Sequence, residues 1–363
     1  MLNQKIFLKQ LSKLVSFKTV TGNVKSNQEA LEYVISLLDP LAKIKLISDQ
    51  TRQILLAGNI ETKKPDYTYL VHIDVVPGEA TQFTVKQNDD LLYGRGVSDM
   101  KFSIPIGVAL LNEIIQTKSN LKFQLAITTD EETGGYAGTK YLVDEYQLRP
   151  RAVIVPDGGN EGLVVNKSKG VCQLIITTQG KTAHASQPWN GQNAITPLVK
   201  LASKLIEKYD DNNAKECWET TMNLGQINGG SAINQVCPQA TLKIDFRYPQ
   251  TDSADSLIKE VKKIAKEIGE EFSIELGSMG LPTYTDGALP IVQKFAKNLE
   301  SEMGVKVEIK GECGASDARF FAPFNTPILM SKPKGGQIHS DDEWLSLSST
   351  LKFYQALRRQ LDL

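Results

Sequence analysis

Hydrophobic and polar positions along the chain fall into alternating helical and strand periods. Residues 3–16 and 26–38 repeat apolar side chains at the three- and four-residue spacing of amphipathic helices. A third helical stretch covers 103–117, where Pro105 must sit in the first turn or kink the helix. Short apolar runs of strand character lie among them, and each ends in polar groups. Tyr67–Val71 runs into His72-Ile73-Asp74, Leu121–Thr129 into Asp130-Glu131-Glu132, and Ala152–Val155 leads to Asp157-Gly158-Gly159. This alternation predicts an α/β fold with a mainly parallel sheet.

The middle of the chain has a different rhythm. A strand over 171–179, a helix over 193–210, strands over 221–228 and 239–248, a helix over 252–268 and a strand over 272–278 follow in turn. The order β-α-β-β-α-β is that of a ferredoxin-like module. From about 285 the α/β pattern resumes, with a helix over 289–303, strands over 304–310 and 327–330, and a terminal helix over 344–361. The expected organisation is one α/β domain split between 1–170 and 285–363, with the module inserted over 171–284.

Composition narrows the function classes. The 363 residues fit roughly two domains, in agreement with the split arrangement. Lys and Arg number 41 and Asp and Glu 42, a net charge of −1 that argues against nucleic-acid binding through a broad basic surface. No segment approaches the roughly 20 apolar residues of a membrane span. Residues 1–20 carry Lys5, Lys9, Lys13 and Lys18 through an apolar pattern, which reads as a surface helix rather than a secretory signal. Four scattered cysteines without a C-x-x-C pair suit a reducing compartment, so a cytoplasmic protein is expected.

Histidine is scarce: His72, His184 and His339 are the whole supply. His72, the Glu131/Glu132 pair and Asp157 all punctuate strand ends, where sites collect in open α/β sheets. Asp99 follows the glycine loop Gly94-Arg95-Gly96, and His339 follows Lys334-Gly335-Gly336. A carboxylate such as Asp99 can bridge two ions about 3.5–4 Å apart. Two divalent ions, the carboxylates of Asp99, Glu132 and Asp157, a bridging hydroxide and two neutral imidazoles would sum to zero charge. Asp74, two residues past His72 on extended backbone, faces the same way and can accept the proton of the ring nitrogen that does not bind metal. Adjacent glutamates diverge, so one of Glu131 and Glu132 can bind metal while the other acts as general base. Taken singly these features are commonplace: a His-x-Asp pair is more often a surface pair, and Asp-Gly-Gly more often a turn. Their coincidence at strand ends is what points to a site.

The segments His72-Ile-Asp74, Gly94-Arg-Gly-Val-Ser-Asp99-Met-Lys101, Asp130-Glu-Glu-Thr-Gly-Gly135, Asp157 and Ile338-His-Ser340 resemble the co-catalytic zinc peptidases and deacylases of clan MH. That family includes succinyl-diaminopimelate desuccinylase, acetylornithine deacetylase, aminoacylase, carnosinase and bacterial dipeptidases. The resemblance spans essentially the whole chain. It implies a phosphorylase/hydrolase-like catalytic domain with the inserted module as lid and dimerisation domain. It implies two Zn2+ ions, with Co2+ or Mn2+ as substitutes, one held by His72 and Asp157 and the other by Glu132 and His339. Asp99 would bridge them and be followed by a cis peptide, Glu131 would be the general base, and Asp74 the partner of His72.

The same resemblance implies that His184 stabilises the oxyanion, often across the dimer, and that Asn234 helps bind substrate across subunits. Arg247 would clamp a substrate carboxylate, a task suited to a guanidinium, unless it forms an ordinary ion pair. Ser316 and Arg319 belong to a Ser-Asp-x-Arg-Phe segment typical of the deacylase branch, where the backbone approaches substrate and Arg319 adds a second clamp. Asp157 points instead towards amino- and dipeptidases. The expected protein is therefore a homodimeric dinuclear zinc amidohydrolase acting on a small peptide or N-acyl amino acid, without nucleic-acid or membrane partners. The rivals are a dedicated N-acyl amino acid deacylase and a catalytically silent peptide-binding relative, although none of the seven metal-site positions is lost.

Overall fold

The computed structural model describes residues 2–49, 52–214 and 217–363. The chain separates into two compact units, Met1–Lys167 with Tyr284–Leu363, and Ser168–Thr283.

The first unit is built on a sheet whose central strands run, in spatial order, Phe123–Thr128, Tyr67–His72, Ala152–Val155 and Ile328–Met330. All three pairings among these four are parallel. Antiparallel strands flank them, Lys43–Ser48 and Gln53–Gly58 on one side and Leu163–Ser168 on the other. Every residue of Gln53–Gly58 and Phe123–Thr128 is buried, as expected for strands covered on both faces. Parallel alignment brings the carboxyl ends of the central strands to one edge, and there the chain delivers His72, Asp130 to Glu132, and Asp157.

The helix Ser103–Gln116 covers this sheet and has Pro105 in its first turn, where a missing N–H costs nothing. The helix Gln4–Ser16 buries Phe7, Leu11, Leu14 and Val15 and leaves Lys5, Lys9 and Lys13 exposed, so its amphipathic pattern matches its placement. Lys101, fully buried, donates from Nζ to the carbonyls of Leu14 and Phe17 and so ties that helix's C-terminal end to the residues just beyond Asp99.

Two elements depart from the sequence expectation. The terminal helix covers Leu347–Gln360, not 344–361, because Trp344–Ser346 instead pair as a strand with Leu91–Tyr93. Ser346 then caps the helix, its side chain accepting from Ser349 N at 3.2 Å. The strand placed at 304–310 lies at Glu308–Glu312, because Gly304 (φ +74°) ends the preceding helix in a left-handed turn. A small antiparallel sheet of Gly335–Gly336, Trp344–Ser346, Leu91–Tyr93 and Lys86–Asn88 completes the unit.

The second unit is a four-stranded antiparallel sheet ordered Thr221–Gly229, Gln239–Tyr248, Gly170–Gln179, Ser273–Gly280, with helices Ile195–Asn213 and Ala254–Ile268. Its element order is β-α-β-β-α-β, the ferredoxin-like succession. Inward residues Cys172, Leu174, Ile176, Leu242, Ile244 and Phe246 meet Leu198, Leu201, Leu257 and Val261 in a core of its own.

Contact between the covering helix and the central sheet depends on Gly107. A Cβ there would lie 2.8 Å from Leu125 Cδ1 and 2.8 Å from Tyr69 Cδ1. Gly107→Val should lower stability by about 1–3 kcal/mol through overpacking, seen as a reduced melting temperature by circular dichroism. An unchanged melting temperature would contradict this packing.

Candidate metal centre

His72 ends its strand buried, with Nδ1 3.0 Å from the Asp74 backbone carbonyl and 3.5 Å from Asp74 Oδ1. Acceptors on that side place the ring proton on Nδ1 and leave the Nε2 lone pair free to bind a cation. Nε2 is buried, makes no hydrogen bond, and faces Asp99 Oδ1 at 3.3 Å and Glu131 Oε2 at 4.0 Å. On the other side of Asp99, His339 Nε2 lies 3.1 Å from Asp99 Oδ2 and 3.1 Å from Glu132 Oε2. Two donor sets result, His72–Asp99–Asp157 and Asp99–Glu132–His339, each with its ligand atoms within 4.8 Å of one another. Asp99 belongs to both, one oxygen turned to each imidazole.

Local backbone explains this convergence. Asp99 follows the Gly94–Ser98 turn, with Gly94 at φ +151° and Gly96 at φ +81°, and its peptide bond to Met100 is cis. His339 adopts φ +63° at the tip of the turn between Gly335–Gly336 and Trp344–Ser346. Glu131 and Glu132 open a short 3-10 turn that Gly134 (φ +105°) closes. Asp74 holds that turn: Oδ1 accepts from Glu131 N at 3.3 Å, and Oδ2 from Glu132 N at 3.2 Å and Thr21 Oγ1 at 2.8 Å. The Asp74 carboxylate thus serves the glutamates as much as His72, and its backbone carbonyl stands nearer the imidazole.

Charge repulsion dominates the electrostatics. Burial and the Asp99 charge push Glu132 and Asp157 each up to about 7. Burial and then Asp157 hold Glu131 well above the usual carboxylate range. Burial also works against ionisation of Asp99, but the His339 and His72 rings outweigh it and hold that carboxyl well below the usual range. Burial likewise works against the His72 cation, and Asp74 and Asp99 more than offset it. His339 is raised chiefly by Asp99. Crowded carboxylates that reject their own charge, beside a buried imidazole nitrogen without a hydrogen bond, form a donor set suited to divalent cations.

The remaining sequence candidates belong to the second unit or are engaged in contacts of their own. His184, Asn234 and Arg247 belong to the second unit. His184 and Asn234 are exposed neighbours there, Ala185 N donating to the Asn234 carbonyl at 3.0 Å. Ser186 N donates to His184 Nδ1 at 3.1 Å, so in the neutral ring the proton sits on Nε2, free to donate. Arg247 pairs with Asp245, Nε at 2.7 Å from Oδ1 and Nη2 at 3.3 Å from Oδ2. Ser316 caps a turn by accepting from Ala318 N. Arg319 is buried and donates to the carbonyls of Ser316 (3.0 Å) and Gly134 (2.7 Å), bracing the glutamate turn.

Sequence reasoning gave no role to Glu343, Asp130 or Thr21, all of which support the site. Asp130 Oδ2 accepts from Ala137 N and Gly138 N at 2.8 and 3.1 Å. Glu343 stands in the run Asp341-Asp342-Glu343, which reads as a solvated face, yet only its first two members are exposed.

A mainly parallel α/β sheet with two adjoining acid–imidazole donor sets at its carboxyl edge is the arrangement of a metal-dependent hydrolase. The chain belongs to peptidase family M20/M25/M40, whose sequence pattern matches residues 69–362. Membership makes it a metal-dependent hydrolase of amide bonds, in agreement with the sequence resemblance. It is 28% identical over 352 residues to succinyl-diaminopimelate desuccinylase of Janthinobacterium sp. (strain Marseille), covering 92% of each chain. Among solved structures it resembles an M20 family metallo-carboxypeptidase from Sulfolobus solfataricus, with TM-score 0.82 and 16% identity over 98% of both chains. It also resembles a Staphylococcus aureus tripeptidase, with TM-score 0.79 and 22% identity over 99% of this chain and 98% of that one. Among the described residues no helix is long and apolar enough to cross a membrane.

The raised carboxyls give a signed prediction. Between about pH 4 and 7, Glu132 and Asp157 stay protonated in the folded, metal-free protein but ionise in the unfolded chain. The native state then binds the more protons, so stability falls as pH rises. The raised imidazoles act in the same direction above about pH 6.5. Chelator-treated protein should melt at progressively lower temperature from about pH 5 to about pH 7.5, and added divalent metal should restore most stability at the upper end. Melting indifferent to both pH and metal would exclude a cation centre here.

Proposed function

We propose that the protein is a dinuclear zinc amidohydrolase that releases an acyl group from an N-acyl amino acid or cleaves a small peptide. The observation that carries this reading is the sharing of Asp99 between the two donor sets, with the Glu131 carboxylate 4.0 Å from His72 Nε2. His72 and Asp157 would hold one ion, Glu132 and His339 the other, and Asp99 would bridge them. Two divalent ions, when bound, supply Lewis acidity that lowers the pKa of a water and polarises the scissile carbonyl.

The chain's own groups do the rest. Glu131, held above its usual range by burial, takes the proton of the attacking water and returns it to the leaving nitrogen. Asp74 keeps His72 in its Nδ1–H form and fixes the backbone of Glu131 and Glu132. His184, its Nδ1 occupied as an acceptor, donates Nε2–H to the developing oxyanion. Asn234, Arg247, Ser316 and Arg319 form the substrate-recognition set in this reading, with Arg247 leaving Asp245 to meet a substrate carboxylate.

Residues 171–284 act as a lid through which two copies pair, bringing one copy's His184 to the other's substrate. The enzyme works in the cytoplasm, and Co2+ or Mn2+ can replace zinc in so carboxylate-rich a site. The N-acyl amino acid half of the substrate class has the stronger support, because the desuccinylase relative matches this chain at 28% identity. The peptidase neighbours share the fold at lower identity.

Glu131→Ala should leave metal content unchanged and reduce turnover of zinc-loaded enzyme by about 10²–10⁴-fold. Turnover would be followed on a panel of N-succinyl and N-acetyl amino acids, dipeptides and tripeptides. Wild-type turnover in that variant would reject Glu131 as the base, and a panel without any hydrolysed member would reject the substrate class.

A further inference from the structure

The hairpin that carries His339 also carries a second group directed at the centre. Gly335–Gly336 pairs with Trp344 and Leu345, and the turn between them raises His339 at its tip. Just before the return strand, four residues beyond His339, Glu343 is 1% exposed. Its carboxylate is fully engaged by the loop that bears Asp99. Oε1 accepts from Ser98 N at 2.9 Å and Asp99 N at 3.0 Å, while Oε2 accepts from Gly96 N at 2.8 Å and Arg95 Nη1 at 3.1 Å. The Glu343 carbonyl also accepts from Gly94 N at 3.2 Å. Five donors from the 94–99 segment therefore converge on one residue, and the bonded amides include that of Asp99 itself.

We infer that Glu343 is the positioning residue for Asp99, fixing the bridging carboxylate through its backbone while the same hairpin presents His339. The inference rests on the two-cation reading of the centre. Asp99 Oδ2 and His339 Nε2 are 3.1 Å apart, so both must be placed together for the second donor set to exist. The four side-chain bonds need both oxygens to accept, which only a carboxylate offers, because each partner is a donor. An amide of the same shape would turn an NH2 group towards N–H groups on one side. Glu343 touches neither ligand atoms nor substrate in this role and acts only through the loop.

The role separates from simple fold support by a metal-affinity measurement. Metal-free wild type and E343Q would be titrated with Zn2+ by calorimetry, well below the melting temperature of either and with circular dichroism on the same samples. Wild type is expected to take up two equivalents. E343Q should keep the wild-type spectrum and bind zinc about 10–100-fold more weakly, the loss usual when a group supporting a ligand is changed. Wild-type affinity in E343Q, even with a lowered melting temperature, would reduce Glu343 to fold support and overturn the inference while leaving the dinuclear reading intact. Absence of binding by wild type would instead overturn that reading. If E343Q lacks the native spectrum, E343D decides: it keeps the charge but is one methylene shorter, so weakened binding in a native-like protein supports the inference and undiminished binding refutes it.

Discussion

Negative charges withdrawn from water must be compensated, and the edge of this sheet gathers more of them than imidazoles alone can balance. The structure sorts its carboxylates into two kinds. Asp74 and Glu343 are satisfied from within, each accepting hydrogen bonds from two or more backbone amides, and Asp130 accepts from two amides on one oxygen. Glu132, Asp157 and Glu131 lack such donors, and burial with the nearby charges of Asp99 and Asp157 raises their affinity for protons. The first group uses charge to hold loops, and the second leaves charge unspent for an incoming cation. Everything else at the site follows from keeping these two groups adjacent without letting them exchange roles.

Main-chain amides make that separation possible. Asp74 takes the amides of Glu131 and Glu132, so the carboxylate that supports the glutamates never competes for the cation they face. Glu343 does the same for the loop of Asp99. Arg319 works with the opposite polarity, donating to the Gly134 carbonyl that closes the glutamate turn. The outer layer of the centre is thus a set of side chains bound to backbone, and the inner layer a set of side chains free of it.

Much of this was legible in the sequence because the inner layer sits where periodicity stops. His72, Glu131, Glu132 and Asp157 each follow an unmistakable apolar run, and parallel strands must bring such ends to one edge. The inserted module was legible for a similar reason: its strands are long, and Gly170–Gln179 alternates between covered and open positions. The outer layer was not legible. Glu343 is buried only because Trp344–Ser346 pair with Leu91–Tyr93, a contact between residues some 250 positions apart that no local pattern encodes. That pairing also removed three residues from the expected start of the last helix. The flanking strands Lys43–Ser48 and Gln53–Gly58 went unassigned although the first alternates, since such short segments carry little signal next to long helices and the second is buried at every residue. For Arg247 the sequence left a substrate clamp and an ordinary ion pair both open, and the structure places Asp245 within reach of its guanidinium.

The split of the first unit orders events in time. Ile328–Met330 fills a central place in the sheet, between Ala152–Val155 and Leu163–Ser168, yet more than 100 residues of the second unit are synthesised before it. A ribosome adding about 5–20 residues per second holds the front half of that sheet incomplete for several seconds. During this interval His72, the two glutamates and Asp157 already exist, but His339 and the hairpin that steadies Asp99 do not. The nascent chain therefore carries every residue of the His72–Asp99–Asp157 set from early on, while the set that needs His339 can be completed only when synthesis is almost finished.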